Sequence, residues 1–564
     1  MGKDIKILVI GGSACGPKTA ARARRRTPDA KITILEQGQY VSIATCGMPY
    51  YISGVIESEK SLIIKRPDYF KDVMDIDVLL GMRVLSINRK AHNVQALNIK
   101  TNEQQDFEYD KLVIATGGSP KIPPFPGKEL KNILTLSKFE DAVALRNAVT
   151  SGKLKHAVII GAGLIGMEMA EAFTRSGLET TVVESLNWPL PTLFDKDIGL
   201  HLAKYLREKG VKLLFGERVT GFEGDNEGNI KRVLMQNNSI DADIVLMAIG
   251  TTPNVKLAKD AGLAIGALGG ITVNQYLETS DPDIYAGGDC VENTNLVTGN
   301  KMLAPMGSTA NKHGRVIGTN LAGGRDTFPG VMGTSVVKIF DYNVGRTGLN
   351  EAQYTTGFAP VTAFIPVADR ANYFPGSKEI LVKVIADRTT GRLLGGQIIG
   401  EGEVAKRIDV LVTAITLGAT VDTLANLDLA YAPPYNGAMD PLHNAANVIR
   451  NKMSGLAQTV TTEKVKNMID SGEEFILLDV RNPDEFEKAR IECNQSVLIP
   501  LPDLRQNLEK LPKEARIVVL CRSSIRAFQA LCTLRGAGYR NVAFMEGSIL
   551  GWPYEVCTMP VEKK

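Results

Sequence analysis

The chain has 564 residues, 44% apolar and 23% charged, which excludes a mostly disordered or collagen-like protein. At roughly 150 residues per domain it holds about four domains. Lys and Arg number 65 against 62 Asp and Glu, and this near balance leaves no broad electrostatic footprint for nucleic acid or an anionic membrane. No apolar run approaches the roughly 18 residues that span a bilayer. The opening residues have the pattern of neither a signal peptide nor a myristoylation site at Gly2, so the expected compartment is the cytoplasm. The seven cysteines are scattered and odd in number, which favours reduced thiols over a disulfide framework. The five histidines are far apart, and no metal site is expected.

The chain opens as a strand (Ile5–Ile10), a turn (Gly11-Gly12-Ser13-Ala14-Cys15-Gly16), an Ala/Arg-rich helix (Pro17–Arg26) and a second strand (Ile32–Leu35) ending in Glu36. This is a βαβ dinucleotide unit. Its glycines let the backbone approach a pyrophosphate, the helix N-terminus offers free N–H groups, and Glu36 accepts the ribose hydroxyls. Ser13 stands where the usual pattern has its middle glycine. Arg22 to Arg26 suit the phosphates of an ADP-like head, or form a solvated basic face.

Cys46, in Ser42-Ile43-Ala44-Thr45-Cys46-Gly47-Met48-Pro49-Tyr50-Tyr51, has no cysteine near it in sequence after it; the next is Cys290. Such a thiol cannot close a local disulfide, but it can hold a mixed disulfide, a persulfide or a sulfenic acid. Gly47 and Pro49 suit a turn opening a helix, whose N-terminus favours the thiolate. Tyr109 to Gly117 then read as a strand running into a glycine turn, with Thr116 and Gly117 at its end.

A second fingerprint follows: a strand (Ala157–Ile160), Gly161-Ala162-Gly163-Leu164-Ile165-Gly166, a helix from Met167 to Ser176, and a strand (Thr180–Val183) ending in Glu184. Glu184 repels a 2′-phosphate and no arginine follows it, so NADH is favoured over NADPH. Asp283 to Asp289 form another strand and turn. Asp289 is placed there to accept from a flavin ribityl hydroxyl, so an FAD domain interrupted by an NADH domain is expected. Asn311 to Arg315 are expected to open a helix after that turn.

After Asn451 the pattern changes. A polar stretch reads as a linker, Phe475–Val480 as a buried strand, and Ile517–Leu520 as a strand entering Cys521-Arg522-Ser523-Ser524-Ile525-Arg526 and a helix. Loop amides converging on Cys521 stabilise a thiolate or persulfide, and Arg522 and Arg526 add positive charge for an anionic donor.

The chain from Lys6 to about Asn451 resembles the two-dinucleotide flavin disulfide reductases. More narrowly it resembles the coenzyme A-disulfide reductase and NADH-dependent persulfide or polysulfide reductase group, through the Cys46 stretch and Leu429-Ala430-Tyr431-Ala432-Pro433-Pro434-Tyr435. Thr45 stands where that group usually has Asn. The last hundred residues resemble a rhodanese domain through Leu478-Asp479-Val480-Arg481 and the Cys521 loop. They depart from it at Ala489-Arg490-Ile491, where the family often shows Gly-His-Ile.

The resemblance implies an α/β protein with FAD and NADH domains of the Rossmann kind, an α+β dimerisation domain and a C-terminal α/β rhodanese domain. The expected boundaries are 1–115 and 251–325 for FAD, 116–250 for NADH, 326–450 for dimerisation, 451–462 for the linker and 463–564 for rhodanese. It implies a coenzyme A surface at Lys18, Arg22, Ser42, Lys71, Asn311 and Arg315. It also implies that Tyr373 and Tyr435 reach the partner subunit's thiol in a homodimer. The expected activity is NADH-dependent reduction of persulfide, polysulfide or CoA-disulfide bonds through Cys46, with Cys521 carrying sulfane sulfur. Two alternatives stand beside it: an NADH oxidase or peroxidase cycling Cys46 through sulfenic acid, and a sulfur relay centred on Cys521.

Overall fold

The structure is a computed structural model that describes residues 5–354 and 357–558. Gly2, where the myristoylation reading falls, and the last residues of the expected rhodanese domain lie outside the described residues. The chain divides into two compact units, 1–185 with 211–331 and 186–210 with 332–564.

The first unit contains two five-stranded parallel sheets. In one, Lys6–Ile10 lies between Lys31–Glu36 and Lys111–Ile114, with Asp77–Leu80 and Ile284–Ala286 at the edges. The two central strands are apolar and buried on both faces, as a parallel sheet covered by helices requires. In the other, His156–Ile160 lies between Glu179–Glu184 and Ile244–Met247. Both fingerprints thus occur at the C-terminal ends of central strands, where open α/β sheets bind ligands. The first fingerprint helix starts at Cys15 and ends at Arg26. The helix expected to open at Asn311 instead starts at Gly307 and runs to Asn320, so Asn311 to Arg315 lie inside it.

The second unit carries a five-stranded antiparallel sheet ordered Ser335–Ile339, Tyr342–Gly348, Leu393–Gly400, Glu379–Asp387 and Pro360–Ala368. Lys383 in this sheet is 2% exposed and is matched by Asp195, Asp197 and Glu351 at 2.9, 2.7 and 2.8 Å. A buried ammonium without such partners would cost several kcal/mol.

The same unit ends in a parallel sheet ordered Thr459–Val460, Val542–Met545, Ile517–Leu520, Ile476–Asp479 and Ser496–Leu498. Half of the stretch expected as a linker is regular structure. The helix Pro441–Met453 reaches into it, and Thr459–Val460 pairs with Val542–Met545 as an edge strand. This terminal sheet domain is seated on the antiparallel one. The Phe364 ring leaves no room for a Cβ on Gly547 or Gly551, at 2.9 Å in each case. Lys452 pairs with Glu546 out of solvent, and Arg522 reaches Glu379 at 2.5 Å.

Candidate active site

The two nucleotide cradles are built from backbone first. A Cβ on Gly16 would fall 1.9 Å from the Gly11 carbonyl oxygen, and one on Gly166 would fall 2.1 Å from that of Gly161. Only glycine lets each helix approach its strand this closely. Gly11 and Gly161 adopt positive φ, +112° and +101°. The Glu36 carboxylate accepts from the Gly12 and Gly38 amides at 2.6 and 2.7 Å, and Glu184 accepts from the Ala162 amide at 2.9 Å. Both acids are thereby aimed at the mouth of their cradle. Ser13 is exposed at the turn, and a Cβ on Gly163 would meet no atom nearer than 3.9 Å.

Thr116 and Asn254 tie together the two crossings between the sheets of this unit: the Thr116 hydroxyl donates to the Asn254 carbonyl at 2.6 Å, and the Asn254 amide donates back at 2.9 Å. Gly117 follows in the left-handed region. Asp289 is half-buried, and burial alone raises its carboxyl above the usual range. A carboxylate desolvated without compensating donors fits one that receives them from a bound polyol such as a flavin's ribityl chain. Beside it the Gly288 amide donates to Nδ1 of fully buried His313 at 3.0 Å. Gly-rich turns, helix N-termini and paired acids together fit two dinucleotides.

Cys46 is exposed, in a short 3₁₀ turn (Thr45–Gly47) that leads into the helix Met48–Ile52 with Pro49 in its first turn. That helix is only five residues long, so it adds little dipole. The longer helix Gly307–Asn320 supplies what it lacks: a Cβ on Gly307, its first residue, would fall 3.8 Å from Cys46 Sγ. The N-terminal amides of a fourteen-residue helix thus lie beside the sulfur, where they can meet an anionic group bound to it. Nothing in the sequence near Cys46 announces this contact, because the glycine is 261 positions away. The other two cysteines of this unit, Cys15 and Cys290, are buried, and burial raises both thiols.

The residues expected at a coenzyme A surface fall on adjoining elements. The helices Cys15–Arg26 and Gly307–Asn320 cross at Gly314, which meets Lys18 Cβ, and at Gly318, which meets Arg22 Cβ. Lys18 and Arg315 are exposed beside this crossing, whereas Arg22 Nε donates to Thr319 at 3.0 Å. Asn311 donates to the Gly307 carbonyl. Ser42 is held at positive φ by backbone bonds to Gly12 and Ile64. Lys71 is paired with Asp75 and Asp77, both at 3.0 Å. Next to Ser42 in sequence, Gln39, Tyr40 and Val41 line a cavity of about 230 Å³ with Ile63, Lys65, Arg66 and Pro67, and the sequence did not single out its two cations.

In the second unit Tyr373 and Tyr435 are 77% and 70% exposed, an unusual waste of aromatic surface for a side chain with no partner to meet. Tyr431, also exposed, raises the Tyr373 phenol as its neighbour. Both tyrosine loops are set by Arg407, 1% exposed, which donates to the Asp369 carbonyl (2.6 Å) and to Asn436 (3.3 Å) and pairs with Asp440 (3.3 Å).

Cys521 is 1% exposed, at the end of Ile517–Leu520 and just before the helix Ile525–Gly536. Its amide donates to the Ser548 hydroxyl at 3.1 Å, and that hydroxyl lies 3.9 Å from its sulfur. Ser524 turns the loop through φ +75°. The first amides of the helix have no carbonyl a turn before them and remain available to an anionic sulfur. The expectation of free positive charge needs correction. Arg526 makes a two-pronged pair with Glu485 at 2.7 Å, pulling that carboxyl down to about 2, and Arg522 is engaged by Glu379. The Asn482–Glu485 capping box presents Glu485 to the loop, which explains why the pair forms.

Among the described residues no helix is long and apolar enough to cross a membrane, and no group of three or more His, Cys, Asp or Glu could hold a metal ion.

Comparison with known proteins agrees with this geometry. Residues 5–309 match the pyridine nucleotide-disulphide oxidoreductase family, 334–443 its dimerisation domain, and 461–554 the rhodanese-like domain. The NAD(P)H coenzyme A polysulfide/persulfide reductase of Pyrococcus horikoshii is 36% identical over 80% of this chain and all of its own length. A NAD-dependent persulfide reductase from A. fulgidus superimposes with a TM-score of 0.92 at 40% identity, over 97% of this chain and 100% of that one. Reduced Bacillus anthracis CoADR-RHD gives 0.92 at 34% identity, over 98% of each chain. The chain belongs to the pyridine nucleotide-disulphide oxidoreductase family and carries a rhodanese-like domain at residues 461–554.

Proposed function

We propose that this protein is an NADH-dependent FAD enzyme that reduces sulfur–sulfur bonds of coenzyme A persulfide and related persulfides, polysulfides or CoA disulfide through Cys46. The observation that carries the reading is the placement of Cys46: an exposed thiol at the N-terminus of Gly307–Asn320, in a unit whose other two thiols are buried. Gly11, Gly12, Ser13, Gly16, Glu36, Thr116, Gly117 and Asp289 would hold FAD, and Gly161, Gly163, Gly166 and Glu184 would hold NADH. Bound there, the two cofactors supply two electrons as hydride chemistry. The chain's residues do the rest.

The Cys46 thiolate attacks the outer sulfur of a persulfide, forming Cys46–S–SH and releasing the CoA thiolate. Two electrons and two protons then return Cys46 to the thiol and free hydrogen sulfide. Lys18, Arg22, Ser42, Lys71, Asn311 and Arg315 would hold the CoA, Arg22 and Lys71 only after exchanging their present partners. Tyr373 and Tyr435 would reach the partner subunit's Cys46 in a homodimer and donate hydrogen bonds to the departing CoA thiolate. Cys521 would receive sulfane sulfur in the rhodanese domain and pass it on. The domain limits we adopt are 1–115 with 251–325 (FAD), 116–250 (NADH), 326–450 (dimerisation) and 463–564 (rhodanese), in a cytoplasmic enzyme.

The test is NADH consumption with CoA persulfide, CoA disulfide, polysulfide, peroxide and oxygen, for wild type, Cys46→Ser and Cys521→Ser. Sulfide release lost in Cys46→Ser supports the reading. Faster turnover of peroxide or oxygen replaces it with the oxidase reading, and loss through Cys521 alone replaces it with the relay.

A further inference from the structure

Freeing hydrogen sulfide from Cys46–S–SH needs a proton for the departing sulfur, and the first unit holds a half-buried acid that the reading above does not use. Glu168 lies two positions after Gly166, on the helix Leu164–Arg175, which packs against Met48–Ile52. Tyr50, on that short helix, donates to Glu168 Oε1 at 3.5 Å. Tyr50 is four positions after Cys46, in the helix that the Cys46 turn leads into, and its phenol is near enough to feel the charge of Cys46.

We propose that Glu168 is a positioning residue that sets the direction of the Tyr50 O–H and, through it, delivers the proton that leaves with sulfur at Cys46. The inference rests on Cys46 being the reacting thiol. When Glu168 is ionised it accepts the Tyr50 proton and holds it away from the sulfur. When Glu168 is protonated its own O–H donates to the Tyr50 oxygen, and the phenol proton turns toward Cys46. As the leaving sulfur takes the phenol proton, the phenol takes the carboxyl proton. One proton passes from Glu168 to the sulfur, no electron moves, and solvent reprotonates the carboxylate.

The electrostatics agree. Burial pushes the Glu168 carboxyl up to about 7, against the smaller lowering effect of the Tyr50 hydrogen bond, and the Glu171 charge adds to the rise. Burial first, then Glu168 and Glu171, and last the charge of Cys46 push the Tyr50 phenol up to about 12, so it stays protonated. Glu171 is itself paired with Arg175 at 2.6 Å. The strands packed on the same helix carry His156, Glu179 and Glu184 only at their ends. The relay is therefore loaded below about pH 7 and empties above it.

The experiment is the pH profile of kcat/KM for CoA persulfide reduction by the FAD-loaded enzyme, with Glu168→Gln and Tyr50→Phe beside wild type and Cys46→Ser as reference. Wild type should lose about tenfold between pH 6 and 8 on this limb, following one group with a midpoint near 7. In Glu168→Gln, where the amide donates to the phenol at every pH, the ratio should fall below about twofold. Tyr50→Phe should remove the limb and lower the rate together. A protonated-carboxyl infrared band titrating near 7 should be present in wild type and absent in Glu168→Gln. An unchanged limb in both variants, with Cys46→Ser inactive, overturns the relay alone. Full persulfide turnover by Cys46→Ser overturns the reading on which it rests.

Discussion

Acid should release the flavin from this protein through a single buried histidine. His313 is fully buried, its Nδ1 accepts from the Gly288 amide at 3.0 Å beside Asp289, and its Nε2 has no hydrogen-bond partner among the described residues. Its ring meets Phe328 edge-on at 4.4 Å. Burial lowers its pKa from 6.5 to about 4. The folded state therefore holds it neutral, while the unfolded chain binds a proton near pH 6.5. The contribution is whole above pH 6.5 and is lost as pH falls toward 4. A shift of about 2.5 units corresponds to about 3 kcal/mol over that window.

The assay is free-flavin fluorescence during thermal unfolding at pH 7.5, 6.5, 5.5 and 4.5, for wild type and His313→Asn. Asparagine keeps an acceptor for Gly288 but does not titrate. It should start less stable, from lost packing on Phe328, yet show a flatter dependence below pH 6.5. His201 in the other unit is also lowered by burial to about 4, so flavin release rather than total unfolding is the readout. A wild-type release temperature independent of pH from 6.5 to 4.5, or an equal slope in His313→Asn, refutes the reasoning.

Two further outcomes follow from the same geometry. Glu184 should make kcat/KM for NADH exceed that for NADPH by about tenfold or more, the effect of roughly 1.4 kcal/mol of charge repulsion, and Glu184→Ala should narrow that gap. Arg407→Ala leaves Asp440 buried beside an empty site and frees both tyrosine loops. It should cost about 3–5 kcal/mol in the second unit's stability, read by chemical denaturation, and should loosen the proposed homodimer, read by sedimentation.

The nucleotide cradles were legible because their signal is local. Glycines at fixed spacing and an acid about twenty residues on must meet in a βαβ unit, and Glu36 and Glu184 do meet the Gly12 and Ala162 amides. The Cys521 loop was legible for the same reason. What escaped is long-range. Gly307 beside Cys46, Glu168 beside Tyr50, and Arg407 between the Tyr373 and Tyr435 loops are pairings that only the tertiary fold creates. The charge at Arg526 was misjudged because Glu485, 41 positions earlier, looks in sequence like a helix cap alone. The strand inside the expected linker escaped because Thr459–Val460 has too few residues to show a strand period, and only its pairing with Val542–Met545 defines it.

The most direct measurement of the central claim is the yield of sulfide per NADH from CoA persulfide under anaerobic conditions, in wild type and Cys46→Ser with FAD bound in both. Wild type should yield one sulfide per NADH, and Cys46→Ser should lose on the order of 10³-fold in rate. Equal sulfide yield and rate in the two proteins would contradict it.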